Sequence, residues 1–91
     1  MAEHVILTAV GQNRPGVLAE ITGTIAKLKG NILDIGQKTM QNYFNLIMII
    51  DLSSSPADFA KFKRQLEATG HKHGYVVTVQ HDKVFRYMHR I

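Results

Sequence analysis

Cysteine is absent from the 91 residues of this chain. Its absence excludes a thiol nucleophile, a disulfide framework and every zinc site that depends on cysteine. Long apolar runs are missing too, since the longest extends only from Leu46 to Ile50 and is far too short to cross a bilayer. The first residues show no basic region followed by an apolar run, so we expect no signal peptide and a cytoplasmic location.

The residues that are present suit one folded domain spanning 1–91, with 45% hydrophobic and 20% charged side chains. The net charge is +4. The excess of basic residues lies in a predicted helix and near the C-terminus, at Lys61, Lys63, Arg64, Lys83, Arg86 and Arg90. Basic helix faces are usually solvated, and the aromatic residues that nucleic-acid binding would need are better explained by packing. We therefore expect neither a nucleic-acid nor a membrane partner.

The chain begins with a strand followed by an amphipathic helix. Residues 4–10 are rich in β-branched side chains and stop at Gly11, which predicts a strand. From Gly16 onward the apolar residues take helical spacing, at Val17, Leu18, Ile21, Ile25 and Leu28. Pro15 suits the first helical position, because its φ is already near the helical value and it lacks an N–H group. Gly30 is predicted to end the helix as a left-handed cap.

Two strands are predicted to follow. Residues 31 to about 41 form a weaker strand, in which Gly36 indicates a bulge or the close approach of another backbone. Residues 43–52 form the strongest strand of the chain. One of its faces carries Phe44, Leu46, Met48 and Ile50, and the other carries Tyr43, Asn45, Ile47 and Ile49.

A second helix is predicted from a start signal in which Ser55 is the N-cap and Pro56 the first helical residue. Asp58 sits where the acid of a capping box would lie. The buried stripe of this helix is Phe59, Phe62 and Leu66. Gly70 is predicted to end it.

Residues 73–81 then form the last strand, and residues 83–91 form a C-terminal tail with the spacing of a short amphipathic helix. The resulting order, βαββαβ, predicts an α+β ferredoxin-like sandwich. Its four-stranded antiparallel sheet has the strand order 4-1-3-2, with two helices on one face. The other face stays uncovered yet presents Ile47 and Ile49, and an apolar face of this kind usually marks an interaction surface. We therefore expect a homodimer or a higher homo-oligomer.

The junction between the first strand and the first helix is the best candidate site. The amides of a first helical turn point out of the helix end, whose partial positive charge favours an anion such as a carboxylate. Gly16 has no Cβ, so a small molecule or another chain can approach the backbone closely.

The βαββαβ order and two stretches, Asn13-Arg14-Pro15-Gly16-Val17-Leu18 and Gly30-Asn31-Ile32, together resemble an ACT domain. The whole chain is similar to the small stand-alone ACT proteins that are related to the glycine-cleavage repressor type. The stretches that carry this narrower likeness are Asn31-Ile32-Leu33-Asp34-Ile35, Tyr43-Phe44-Asn45-Leu46-Ile47-Met48 and the ending Met88-His89-Arg90-Ile91. The resemblance implies a non-enzymatic regulatory module, without a cofactor, that binds an amino acid or similar ligand between subunits and acts on a separate partner protein. It implies two sets of ligand-binding residues: Asn13, Arg14, Pro15, Gly16, Val17 and Leu18 from one subunit, and Asn31, Ile32, Leu33 and Asp34 from its neighbour.

Other functions are also possible from the residues alone. An acylphosphatase-like hydrolase could use Arg14 to bind phosphate and Asn45 to orient water, although the glycine-rich phosphate cradle is absent and Pro15 occupies the turn. A ligand-independent interaction adaptor is a further alternative. His71 and His73 would share a face on a strand and could chelate a metal, but no third ligand has a recognisable zinc spacing, so we expect no metal site.

Overall fold

The computed structural model describes residues 3–83. It contains six elements in the order β1 (His4–Gln12), α1 (Val17–Lys27), β2 (Asn31–Met40), β3 (Tyr43–Asp51), α2 (Phe59–His73) and β4 (Val76–His81). The sheet has the order β2-β3-β1-β4, and every neighbouring pair is antiparallel. This confirms the predicted ferredoxin-like topology. The tail predicted for residues 83–91 lies outside the described residues, apart from Lys83.

The core lies between the two helices and one face of the sheet. Alternate residues of β3 are buried there, as the sequence pattern predicted: Phe44, Leu46, Met48 and Ile50. The helices contribute Ile21, Ile25, Phe62 and Leu66, which are all fully buried or nearly so. Within residues 3–83, no helix has the length and apolar character needed to span a membrane.

The opposite side of the sheet, which we call the open face, carries Ile6, Val10, Ile47, Ile49 and Val76. These residues share a face because directly paired residues of antiparallel strands point the same way. Val76 is 66% exposed, Val10 48% and Ile47 38%, whereas Ile6 is only 4% exposed. The apolar character predicted for this face is therefore present.

The ends of α1 differ from the prediction. The helix begins at Val17 with Gly16 as its N-cap at φ 94°, so Pro15 lies in the preceding turn and not at the first helical position. At the other end the left-handed residue is Lys29, at φ 58°, and not Gly30. Gly30 is needed for a different reason, because a Cβ there would lie 3.1 Å from the side chains of both Ile25 and Ile50.

The ends of α2 also differ from the prediction. The N-cap is Asp58, whose carboxylate accepts a 2.8 Å hydrogen bond from the Lys61 amide, so Pro56 precedes the helix. Ser55 is not the cap, because its hydroxyl instead accepts from the Ala57 amide and donates to the Leu28 carbonyl. Gly70 lies inside the helix, which ends at Gly74 in a left-handed conformation with φ 85°.

Replacing Asp58 by alanine removes this cap and leaves the Lys61 amide without its acceptor. We expect a loss of about 1 kcal/mol in the free energy of unfolding. For a domain of this size that corresponds to a fall of about 4–8 °C in melting temperature, which differential scanning calorimetry measures. Asp58→Asn, which keeps an acceptor oxygen, should retain most of the stability, and an equal loss in both variants would contradict the capping role.

Two strand predictions need correction. The bulge of β2 lies between Ile32 and Asp34 and not at Gly36, where a Cβ would instead lie 3.3 Å from the Ile47 side chain. β4 begins at Val76, so His71 and His73 belong to the last turn of α2. Two residues apart on a helix, these histidines point to opposite sides, and the shared strand face proposed for a metal was wrong.

Candidate functional site

A cleft of about 130 Å³ opens at the N-terminus of α1, between the β1–α1 connection and strands β2 and β3. It brings together five of the predicted site residues, Asn13, Arg14, Gly16, Val17 and Leu18. Pro15 is not among its lining residues. Three residues that sequence reasoning had not assigned complete the lining: Gln37, Phe44 and Leu46.

The backbone around the cleft leaves hydrogen-bond donors available. The first bond of α1 runs from the Glu20 amide to the Gly16 carbonyl at 3.0 Å, so the amides of residues 17, 18 and 19 precede the intrahelical ladder. Within residues 3–83, no side chain caps this helix end. The Asn13 amide donates to the Asn42 carbonyl at 2.6 Å and thereby ties the connection to the turn between β2 and β3.

Arg14 is held by Glu20 in a two-pronged ion pair. Its Nη1 and Nη2 atoms lie 3.1 and 3.0 Å from the two carboxylate oxygens, and Nη2 also donates to the His73 carbonyl at 3.1 Å. The hydrogen bond from Arg14 lowers the pKa of Glu20, and the same bond raises the pKa of Arg14. Because the Glu20 pKa is lower in the folded state, the pair stabilises the fold at neutral pH, and that contribution is lost as the pH falls through the folded pKa.

This ion pair has a consequence for the chemistry of the cleft. Arg14 is the one charged residue in the lining, and its charge is already balanced by Glu20. The guanidinium also joins the β1–α1 connection to the end of α2 through the His73 carbonyl. Arg14 therefore holds the connection in place, and the groups left free to bind an anion are backbone amides.

Tyr75 extends this network to the floor of the cleft. Its hydroxyl donates to Glu20 at 3.1 Å, and its ring packs edge-on against Phe44 at a centroid distance of 5.6 Å. Burial raises the pKa of Tyr75 to about 12, and the hydrogen bond to Glu20 adds to the effect.

The raised pKa of Tyr75 predicts an alkaline loss of stability. Between pH 10.0, the ordinary value, and about 12, the unfolded chain releases this proton while the folded chain retains it, so stability falls as the pH rises. Chemical denaturation at a series of pH values measures the slope. Tyr75→Phe should flatten it relative to the parent protein, whereas Tyr43→Phe, at an exposed position, should leave the slope unchanged.

The second set of predicted ligand residues, 31–34, lies at the far end of β2. Asn31 pairs with Asp51, which also pairs with His4 at the start of β1, whereas the cleft follows the end of β1. Within one chain the structure therefore does not bring residues 31–34 to the cleft. The Asp34 carboxylate accepts a 2.9 Å hydrogen bond from the Ile35 amide.

The residues of the hydrolase alternative do not share a site. Asn45 pairs with Val10 and lies on the open face, whereas Arg14 is bound by Glu20 and the end of α2 on the helix side. Across residues 3–83, no group of three or more histidine, aspartate or glutamate side chains is placed to hold a metal ion.

The comparisons with known proteins decide the family. The family model for the ACT domain matches residues 3–80. The chain belongs to the ACT domain family. A UPF0237 protein of Methanocaldococcus jannaschii is 45% identical over 88 residues, which cover 97% of this chain and 98% of that protein. The resemblance inferred from the sequence is thus confirmed.

Solved structures agree with this assignment. The ACT domain protein from Streptococcus pneumoniae superposes with a TM-score of 0.81 at 30% identity, covering 93% of this chain and 96% of that one. A structure described as a glycine cleavage system transcriptional repressor gives a TM-score of 0.79 at 26% identity, covering 89% of this chain and 46% of that chain. The narrower likeness to the glycine-cleavage repressor type is therefore also confirmed.

Proposed function

We propose that this ACT-domain protein is a regulatory module that binds an amino acid, or a similarly small zwitterion, in the cleft at the start of α1. The observation that carries the proposal is the cleft itself, which gathers most of the β1–α1 connection around backbone amides that the helix leaves unbonded. The ligand carboxylate accepts hydrogen bonds from the amides of Val17 and Leu18, aided by the helix dipole.

The remaining lining suits the other parts of such a ligand. The carboxamide oxygens of Asn13 and Gln37 can accept hydrogen bonds from an ammonium group. Phe44 and Leu46 supply an apolar floor for a small side chain. The volume of 130 Å³ is well below the range of about 300–1,000 Å³ that is usual for drug-sized ligands, which favours a small amino acid over a nucleotide.

A second copy of the chain would complete the site from the β2 edge. The cleft and the open face lie on opposite sides of the sheet, so a neighbour on the open face cannot reach the cleft. β2 is an edge strand of ten residues, and a neighbour's β2 can pair with it in antiparallel fashion. A two-fold pairing centred on Gly36 sets Ile35 of each copy opposite Gln37 of the other, on the helix side of the sheet and beside the cleft.

This arrangement would supply both halves of the proposed ligand site within a homodimer. Asn31, Ile32, Leu33 and Asp34 of the neighbouring subunit then run alongside the end of β2 that borders the cleft, and their backbone carbonyls can accept hydrogen bonds from the ligand's ammonium group. Each site would be shared between two subunits, so its shape would depend on how the subunits pack. A ligand that binds one packing more tightly than another would shift the dimer towards that packing and change the surface offered to a partner protein. We propose that the protein acts in the cytoplasm.

A thermal-shift screen against the proteinogenic amino acids tests the proposed function. A ligand at about one hundred times its dissociation constant adds about 2.7 kcal/mol to the free energy of unfolding, so at least one amino acid should raise the melting temperature clearly. If no amino acid has any effect, the proposed ligand class is wrong. Sedimentation should give a dimer at micromolar concentration, and a monomer would contradict the shared site.

A further inference from the structure

The outer surface of the helix layer contains a groove of about 350 Å³ between α1 and α2, separate from the ligand cleft. Its floor is made of small side chains, Thr24, Ala68 and Thr69, and the two threonine hydroxyls are hydrogen-bonded across it at 2.8 Å. Lys27 of α1 and Lys72 of α2 stand on its two walls. Such a shallow floor with long basic walls can receive the side of an elongated segment.

The charge of this surface is strongly one-sided. Glu20, at one end of the groove, is bound by Arg14, and Glu67 is bound by Lys63 at 2.6 Å. The ion pairs of residues 3–83 include none of Lys27, Lys61, Arg64 and Lys72. Both glutamates of the helix layer are thus neutralised by basic partners and Asp58 caps the start of α2, while four basic side chains keep their charge without an ion-pair partner in that range.

The spacing of the basic residues of α2 places them in a row along the helix axis. Lys61, Ala68 and Lys72 are seven and four residues apart, so they lie along one side of α2. Ala68 and Lys72 line the groove, and Lys61 continues the same side of the helix beyond it. Over the 15 residues of α2 this side extends for about 22 Å. That length and repeat match the acidic face of a helix of similar size.

We propose that this groove docks an acidic helical segment of a partner protein, whose carboxylates pair with Lys27 and Lys72 in the groove and with Lys61 beyond its end. The inference rests on the proposed regulatory function, because it identifies the kind of partner through which a change of subunit packing would act. A protein partner fits better than a nucleic acid, since the floor offers small side chains and the lining holds no phenylalanine, tyrosine or tryptophan ring for base stacking. The aromatic residues of α2 face away, with Phe62 buried and Phe59 stacked on His81.

Fluorescence anisotropy with a labelled peptide tests the proposal. The probe is a peptide of about 15 residues with glutamate at helical spacing along one face and alanine elsewhere. Binding should weaken about tenfold when the salt concentration rises from about 0.05 to about 0.3 M. Lys72→Glu should weaken binding about fivefold or more, whereas the matched reversal Lys83→Glu, outside the groove, should change it by less than about twofold.

Three results would overturn the docking proposal. They are no binding by the peptide, equal losses in the two charge reversals, and tighter binding of a single-stranded RNA of the same charge than of the peptide. The thermal-shift response to amino acids, measured on the Lys72→Glu variant, reports the ligand cleft alone and should equal that of the parent protein. A failure of groove docking is thereby distinguishable from a failure of the proposed ligand function.

Discussion

Gln37→Trp should abolish the response to amino acids while the protein remains folded. Gln37 lies on an exposed edge strand and lines the cleft, so the largest side chain can be placed there without disturbing the core. Tryptophan is also a favourable residue in a strand. Its indole ring would fill much of a 130 Å³ cleft and exclude a ligand from the amides of Val17 and Leu18. We expect at least about a hundredfold loss of affinity, corresponding to about 2.7 kcal/mol, by isothermal titration calorimetry.

The matched control for this experiment is Thr39→Trp. Thr39 lies two residues further along β2 and therefore on the same face of the strand, but it does not line the cleft. Thr39→Trp should keep the parental affinity within about threefold, which is under 1 kcal/mol. Unchanged ligand binding in Gln37→Trp, or equal losses in both variants, would place the ligand somewhere else.

Gly70→Ala should destabilise the fold, although alanine is the better helix former. A Cβ at this position would lie 2.7 Å from the Tyr75 carbonyl oxygen and 2.8 Å from the Val77 side chain. The carbonyl belongs to the backbone entering β4 and cannot rotate away, so α2 and β4 have to separate. We expect a loss of about 3 kcal/mol in the free energy of unfolding, measured by urea denaturation.

Gly23→Ala, the matched control, should raise the free energy of unfolding instead of lowering it. Gly23 also lies in a helix, but a Cβ there meets nothing within 4 Å. Alanine should therefore stabilise α1 by about 0.5–1 kcal/mol through its higher helix propensity. Stabilisation of similar size in both variants would show that helix propensity and not close packing governs these positions.

The fold was predictable because burial alternates so regularly along the strands. Every second residue of β3 is apolar and faces the helices, and the helical stripe through Val17, Ile21 and Ile25 is equally regular. Both patterns follow from the periods of the two structures, which depend only on local geometry. The order of elements then left few topologies that pack two helices on one face.

The helix ends were less predictable, since several residues compete for each cap. Ser55 and Asp58 are both good N-cap residues, and the choice fell on Asp58 because the Ser55 hydroxyl is engaged by the distant Leu28 carbonyl. Gly70 and Gly74 could each have ended α2. Only the packing of β4 against Gly70 shows that this glycine serves close contact and not termination.

The candidate site could be located from the sequence but not completed. The turn containing Gly16 was evident, but the bond between Arg14 and Glu20 spans six residues across a turn and has no helical spacing to indicate it. Gln37 was missed because its place at the cleft depends on the register of β2 against β3. The available signal was that Gln37 is a polar residue on the helix side of the sheet, next to Leu46. That position can be recognised only once the pairing of β2 with β3 is known.

The most direct test of the ligand site is an amide chemical-shift titration with the amino acid that raises the melting temperature most. We expect saturable shifts at Val17, Leu18 and Gln37, with additional shifts at Asp34 from the neighbouring subunit. Shifts confined to the open face or to the groove between the helices, with the amides of residues 16–18 unmoved, would contradict binding at the start of α1.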